Sequence, residues 1–317
     1  MDALRVASET PCCLVCGSAR ATRLYRLSRR SILRCRDCDQ VFLWPLPTEA
    51  EIADEFARLY TTGENPLPEL RDYYRFCYDD GPDNPLTAHY DHWLAALERT
   101  RPPGKILDVG CGTGLFLSVA QRRGWRPVGV DGSVDATRFA RDRFGLEVTT
   151  GDFAAAFASG ERFDAVTMWD VIEHSRDPVG LLRAARGCLA PGGVLGLATP
   201  NQRSVLDVVA GALYRASGGR VTAPLEKFYV DQHFLYFTPE TLRGTLARAN
   251  STLRHLAREL TDLQRLTLPA PVRLGLRAMF QVARWTGLEN RLFAVAAPAA
   301  VAAARAPDDS PAGGERS

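Results

Sequence analysis

Residues 106–114 constrain the fold more than any other stretch. Ile106-Leu107-Asp108-Val109 is a short apolar run that breaks into Gly110, Gly112 and Gly114, and a helical segment, Leu115–Arg123, follows at once. A strand, a tight glycine turn and a helix N-terminus in this order let the backbone approach a bound ligand closely. The third glycine comes two residues after the second, so the dinucleotide-binding pattern, which needs three, is not met. Asp108 also stands two residues before the first glycine. A carboxylate there would repel a pyrophosphate and suits an ammonium group.

The segments around this turn predict an α/β fold. From residue 105 onward, short β-branched runs alternate with amphipathic helical stretches, as a parallel sheet requires. Strands are expected at Lys105–Val109, Arg126–Asp131, Glu147–Thr150, Phe163–Met168, Gly193–Thr199, about Thr252–Glu259, and Arg291–Ala297. Asp131 ends the second of these, where a carboxylate can accept both hydroxyls of a ribose. Asp152 follows the third and would reach an adenine amino group. The fourth runs out through Trp169-Asp170-Val171-Ile172-Glu173-His174, and Leu189-Ala190-Pro191-Gly192-Gly193 precedes the fifth.

These ordered motifs resemble class I S-adenosylmethionine (SAM)-dependent methyltransferases over roughly residues 86–260. With His233-Phe234-Leu235-Tyr236-Phe237-Thr238 they are similar to the branch that contains ubiquinone-biosynthesis O-methyltransferases. The resemblance implies a Rossmann-like sheet of seven strands. It also implies a cofactor site in which Asp108, Gly110, Cys111, Gly112 and Gly114 hold the methionine part and Asp131 the ribose. Asp152 and Phe153 would meet the adenine, with Gly132 and Trp169 completing the set.

Methyl transfer is an in-line displacement at a carbon already activated by a sulfonium, so positioning can supply most of the catalysis. A hydroxyl acceptor must also lose its proton, to a base or with the help of a metal. Asp170, Glu173, His174 and His233 admit both readings. In one, His174 is a general base at the carboxyl edge of the sheet. In the other, the four hold a divalent cation such as Mg2+, in a spacing that resembles metal sites of some small-RNA 3′-end and quinone methyltransferases. Those sites usually begin with Glu, and here the position is Asp170. A third reading has Glu173 and His174 only shaping the pocket. The Asn/Asp-Pro-Pro-aromatic turn common in enzymes that methylate exocyclic amines of bases is replaced here by Trp169-Asp170-Val171-Ile172, which favours oxygen as the nucleophile.

The N-terminal region carries a different chemistry. Cys13 and Cys16, then Cys35 and Cys38, form two Cys-x-x-Cys pairs separated by eighteen residues. That spacing matches a tetrahedral four-thiolate structural zinc site, a zinc ribbon. Cys12 is an adjacent spare, and Cys77, Cys111 and Cys188 are scattered enough to be packing residues. The expected organisation is a zinc-ribbon module over 1–46, a helical lid or linker over 47–103, the SAM-binding domain over 104–298, and a disordered tail over 299–317. Within the second region Thr48 and Glu51 offer a capping box for a helix Ile52–Tyr60, and a further helix is expected near Thr87–Arg99. The lid aromatics Tyr60, Tyr73, Tyr74, Phe76, Tyr78, Tyr90 and Trp93 could pack or stack on a substrate ring.

Charge and hydropathy narrow the partners. The net charge is +2, so no broad basic surface calls for nucleic acid. An RNA methyltransferase that uses the ribbon and the arginines around it, Arg20 to Arg36, stays open as an alternative, as does a SAM-binding scaffold without turnover. No apolar run reaches the roughly 18–20 residues of a membrane span, and no secretory leader is visible at Met1–Thr10, so a cytoplasmic protein is expected. A helical insert at about 270–286 places Val272, Leu276, Met279, Phe280 and Ala283 on one side and Arg273, Arg277 and Arg284 on another. Such a face could meet a membrane surface, a second copy or a substrate. The oligomeric state is left open between monomer and homodimer. The leading expectation is O-methylation of a small molecule: a secondary metabolite, a sugar or a quinone-like acceptor.

Overall fold

The computed structural model describes residues 10–52, 75–81, 83–157 and 160–299. Seven strands form the central sheet: β4 (Lys105–Val109), β5 (Arg126–Asp131), β6 (Glu147–Thr150), β7 (Phe163–Trp169), β8 (Leu189–Pro200), β10 (Ser251–Glu259) and β11 (Arg291–Pro298). Their order is β10-β11-β8-β7-β4-β5-β6. The five strands from β8 to β6 are parallel, and β11 enters antiparallel between β8 and β10. The seven expected strands are all present, with ends that differ most at β8.

The strands were visible because helices cover both faces of the sheet, which makes each inner strand an apolar run. Ile106, Leu107, Val109, Val166, Met168, Leu195, Leu197, Phe293 and Val295 are all buried. Helix starts carry short polar caps: Asn84 accepts from the amide of Leu86 ahead of the helix Pro85–Glu98, and Ser133 from that of Ala136 ahead of Val134–Phe144. At Thr48 and Glu51 the reciprocal hydrogen bonds of the expected capping box are present, at 2.7 and 3.2 Å. Beyond Ile52 that helix, with Tyr60, Tyr73 and Tyr74, lies outside the described residues, as do residues 300–317 of the expected tail.

A second sheet holds β1 (Ala21–Arg26), β2 (Ser31–Cys35), β3 (Val41–Trp44) and β9 (Leu235–Tyr236), in that order and antiparallel. Three strands come from the cysteine-bearing segment. The fourth is a two-residue strand from far along the chain, beginning two residues after His233. The cysteine region therefore shares a sheet with the segment that follows β8. Its Cys13, Leu33, Cys35 and Phe42 belong to the same buried cluster as Leu107, Val109 and Met168.

The helix Ala270–Thr286 is present, and its predicted contact face is divided. Phe280 and Ala283, on its predicted contact face, are buried against Val205 and Leu263, with Leu276 and Met279 packed beside them. That part of the face packs on the protein itself because the helix lies on its neighbour, Val205–Ala216, while Leu276 and Phe280 also line the cavity described below. The apolar side chains left outward are Val272, Leu274, Val282 and Trp285, the last 84% exposed. Among the described residues no helix is long and apolar enough to cross a membrane.

Candidate active site

A cavity of about 900 Å3 opens at the carboxyl ends of β4, β5, β7 and β8. Ligands of open α/β sheets bind at this edge. The volume is at the upper end of the roughly 300–1,000 Å3 of small-molecule sites.

The glycine turn forms one end. Gly110 and Gly112 have φ of +73° and +51°, a region where side chains cost energy. A Cβ on Gly110 would lie 2.6 Å from Val171 Cγ2, so glycine is required there on both counts. Gly114 lies behind the cavity wall rather than on it. At φ +80° it caps the helix Leu115–Arg122, and a Cβ would lie 2.9 Å from that of Ala140. Asp131 accepts the amides of Gly112 and Ser133, both at 2.8 Å, which fixes its carboxylate at the cavity wall. Asp108 is buried and accepts from Thr167 Oγ1 at 2.6 Å. Burial raises the pKa of both acids, that of Asp108 strongly. No ion pair reaches Asp108 among the described residues.

One buried and one part-buried carboxylate around a glycine turn fit a ligand with an ammonium and adjacent hydroxyls, because each carboxylate oxygen can accept more than one hydrogen bond. Cys111, Gly132 and Trp169 also line this cavity. Trp169 stacks on Trp93 at 4.5 Å and is met edge-on by Phe116. Of the lid aromatics within the described residues, Tyr90 lines the cavity and Trp93 is core. Asp152 and Phe153 are not brought to the cavity. Asp152 caps the short helix Phe153–Ala156 by accepting from the amide of Ala155, and the Phe153 ring is buried in the core.

The other end gathers Asp170, Glu173, His174 and His233. Asp170 has φ +55°, uncommon for a residue with a side chain and a mark of local strain. Arg291 of β11 donates to its Oδ1 at 2.7 Å. Burial works to raise the Asp170 pKa, but the charge and hydrogen bond of Arg291, helped by Arg265, hold it below the usual carboxylate range. Glu173 is fully buried and accepts from Thr199 Oγ1 at 3.0 Å. Burial and the neighbouring Asp170 charge push it up to about 8, so it is mostly protonated at neutral pH.

His174 Nδ1 lies 2.7 Å from the carbonyl of Gln232. A carbonyl can only accept, so Nδ1 carries the proton and the lone pair sits on Nε2. Burial lowers the His174 pKa and brings that of His233 to about 3, which keeps both rings neutral. The two rings meet edge-to-face at 4.8 Å.

Glu173, His174 and His233 each offer a ligand atom within 4.8 Å of the others, the geometry of a possible cation site. Asp170 does not join them, because its carboxylate is engaged by Arg291. Two imidazoles and one carboxyl suit a transition metal better than Mg2+, which prefers an oxygen-rich octahedron. Magnesium does not fit this donor set.

Motif reading missed several residues of the site. Arg291 reaches the cavity from the start of β11, and Arg265 from the turn Leu263–Arg265 after β10. Asp207 accepts from Tyr229 Oη at 2.6 Å and from Gln202 Nε2 at 3.1 Å, and all three line the cavity. No local pattern announces them, since Arg291 meets Asp170 across 121 residues and Tyr229 meets Asp207 across 22.

The four cysteines meet as spaced. Cys13 and Cys38 sulfurs are 3.6 Å apart, and those of Cys16 and Cys35 are 3.5 Å apart. All four lie within 4.8 Å of one another. Four thiolates at about 2.3 Å from a tetrahedral zinc stand roughly 3.8 Å apart. The separations are too long for a disulfide and close to what zinc requires. Cys12 is exposed and outside the group.

Known proteins resemble part of this chain. A ubiquinone biosynthesis O-methyltransferase of Dinoroseobacter shibae is 37% identical over 119 residues, which is 35% of this chain and 47% of that protein. The protein of the same name from Bartonella tribocorum is 30% identical over 162 residues, 47% of this chain and 63% of its own length. The chain thus spans about half to three fifths of these relatives. A solved structure, magnesium protoporphyrin IX methyltransferase from Synechocystis PCC 6803 with bound SAH, is similar with a TM-score of 0.48 and 17% identity, covering 78% of this chain and all of that one. The methyltransferase domain family matches residues 86–256, from the helix Pro85–Glu98 into β10. That match spans more than half of the 317 residues, and this chain belongs to the methyltransferase domain family.

Proposed function

We propose that the chain methylates an oxygen of a small, quinone-like acceptor, with SAM as donor. The observation that carries this reading is a single cavity with two carboxylates, the buried Asp108 and the part-buried Asp131, at its glycine turn and a neutral histidine at its other end. SAM bound at the turn supplies an electrophilic methyl carbon on a sulfonium. Asp108 would hold the donor's ammonium and Asp131 its ribose hydroxyls, with Trp169 on the wall between donor and acceptor. His174 would take the acceptor's hydroxyl proton on Nε2, while the Gln232 carbonyl keeps the opposite nitrogen protonated. Protonated Glu173 leaves Asp170 as the ionised carboxylate of this end, balanced by Arg291. The walls turn apolar beyond it, at Leu206, Leu266, Leu276 and Phe280, which suits an aromatic acceptor with a hydrophobic substituent. The outward Val272, Leu274, Val282 and Trp285 suit contact with a bilayer surface that holds such an acceptor.

The four cysteines would hold one structural zinc, with no open position for water. The name shared by the relatives supports oxygen as the methylated atom. The test is methyl transfer from labelled SAM to metabolite extracts and, in parallel, to total RNA. Label is expected in a small, organic-extractable product. Label in RNA alone would overturn the acceptor class. Calorimetry showing no affinity for SAM or S-adenosylhomocysteine would overturn the donor.

A further inference from the structure

Beyond the buried apolar cluster it shares with Leu107, Val109 and Met168, the cysteine-bearing sheet makes its polar contacts with the core at the wall of the cavity that carries the acceptor end. β3 pairs with β9, placing Val41 against Tyr236 and Phe42 against Leu235. The Leu43 amide donates to the Phe234 carbonyl at 3.0 Å. Gln40, buried two residues after the ligand Cys38, donates its side-chain amide to the Tyr236 carbonyl at 3.0 Å. The Ser28 amide donates to Glu226 at 3.0 Å, Arg30 lies 3.5 Å from Asp231, and Tyr25 packs on Tyr229 at 5.6 Å. The polar contacts of residues 20–44 with the core converge on residues 207–236. That segment contains Tyr229, Gln232, His233 and Tyr236 of the cavity wall, and Gln232 supplies the carbonyl that sets the proton on His174. The glycine turn and Asp131, by contrast, are held by β4, β5 and their parallel neighbours.

A small antiparallel sheet stapled by four cysteines has little core of its own, so metal binding and its folding are one equilibrium. We propose that metal loading of the four-cysteine site fixes the acceptor wall of the cavity through the β3–β9 pairing, and that the donor end is independent of it. The ribbon is then a positioning element for His174, acting through β9 and Gln232. An emptied ribbon releases β9, lets the Gln232 carbonyl move and unsets the base, while the donor still binds. The inference rests on the assignment of donor and acceptor ends made above.

Hydrogen exchange tests it without any acceptor. The zinc-loaded protein is compared with protein stripped by a chelator, and S-adenosylhomocysteine binding is followed by calorimetry on both. Stripping should accelerate exchange about tenfold or more in residues 32–44 and 229–237 together, as local opening does. Residues 105–116 should change by less than about twofold, and the donor-product Kd by less than about threefold. A loosened ribbon with 229–237 unchanged overturns the proposal, and so does purified protein that contains no zinc. If stripping also strips protection from 105–116, Gln40→Ala in the zinc-loaded protein decides. Faster exchange in 234–237 at unchanged zinc content supports the coupling, and unchanged exchange there overturns it. Loaded protein that binds no S-adenosylhomocysteine refutes the donor assignment instead, and the exchange pattern still judges the coupling.

Discussion

Glu173→Gln is the perturbation whose outcome the structure specifies most closely. Glu173 is fully buried, with Thr199 Oγ1 on one oxygen and the charge of Asp170 nearby, and its pKa rises from 4.5 to about 8. In the unfolded chain the group ionises near 4.5, so between that value and about 8 the folded protein carries one more proton than the unfolded one. The stability tied to this proton is fully present below pH 4.5 and is lost as pH rises through about 8, at roughly 1.4 kcal/mol per unit. Over the two units from pH 5.5 to 7.5 the wild type should lose on the order of 3 kcal/mol from this source. Glutamine has nearly the shape of the protonated acid, keeps an acceptor for Thr199 and binds no proton, so the variant lacks that slope. Urea unfolding of both proteins at pH 5.5, 6.5 and 7.5 should therefore give a stability difference, variant minus wild type, that grows by about 1.4 kcal/mol per unit. A difference that stays flat within about 0.5 kcal/mol, smaller than one unit's linkage, would show Glu173 ionised throughout. The protonated-acid assignment would then be wrong.

Three further outcomes are expected. His174→Ala should leave S-adenosylhomocysteine affinity in place and lower turnover by about 10²–10⁴-fold, the range of a positioned base; steady-state rates near wild type would refute the role. Asp131→Ala should weaken SAM binding by about 1–3 kcal/mol, the size of lost charge-assisted hydrogen bonds, read by calorimetry, and an unchanged Kd would remove Asp131 from the ribose. Gly114→Ala puts a Cβ 2.6 Å from Leu146 Cδ1 at a positive φ and should cost about 1–3 kcal/mol in urea midpoint stability; a neutral result would mean that the two helices part freely.

The sequence spoke clearly where physics is local. Strands buried on both faces must be apolar runs, so β4, β5, β7 and β11 could be placed from composition and turn residues alone. The cysteine pairs and the glycine turn were equally plain, because a metal or a tight turn dictates residue type at fixed spacing. Long-range pairings were not visible. β9 is two residues long and has no periodicity, yet it decides where the cysteine sheet docks. Asp170 and Arg291 are 121 residues apart, and nothing near Asp170 shows that a guanidinium engages it. The helix Ala270–Thr286 was found, but which of its faces is covered depends on its neighbour Val205–Ala216, and amphipathicity alone cannot tell.

β11 comes late in the chain but lies inside the sheet, between β8 and β10. Until it inserts, Asp170 lacks the guanidinium of Arg291, and Phe293 is missing from the stack with Trp93 and Trp169. A chain released only up to residue 290 therefore contains every glycine and acid of the turn around Gly110, and Arg265, but not the Arg291 that donates to Asp170. Products stopped there would lack the strand that pairs with both β8 and β10 and would leave an open edge to which other chains can add.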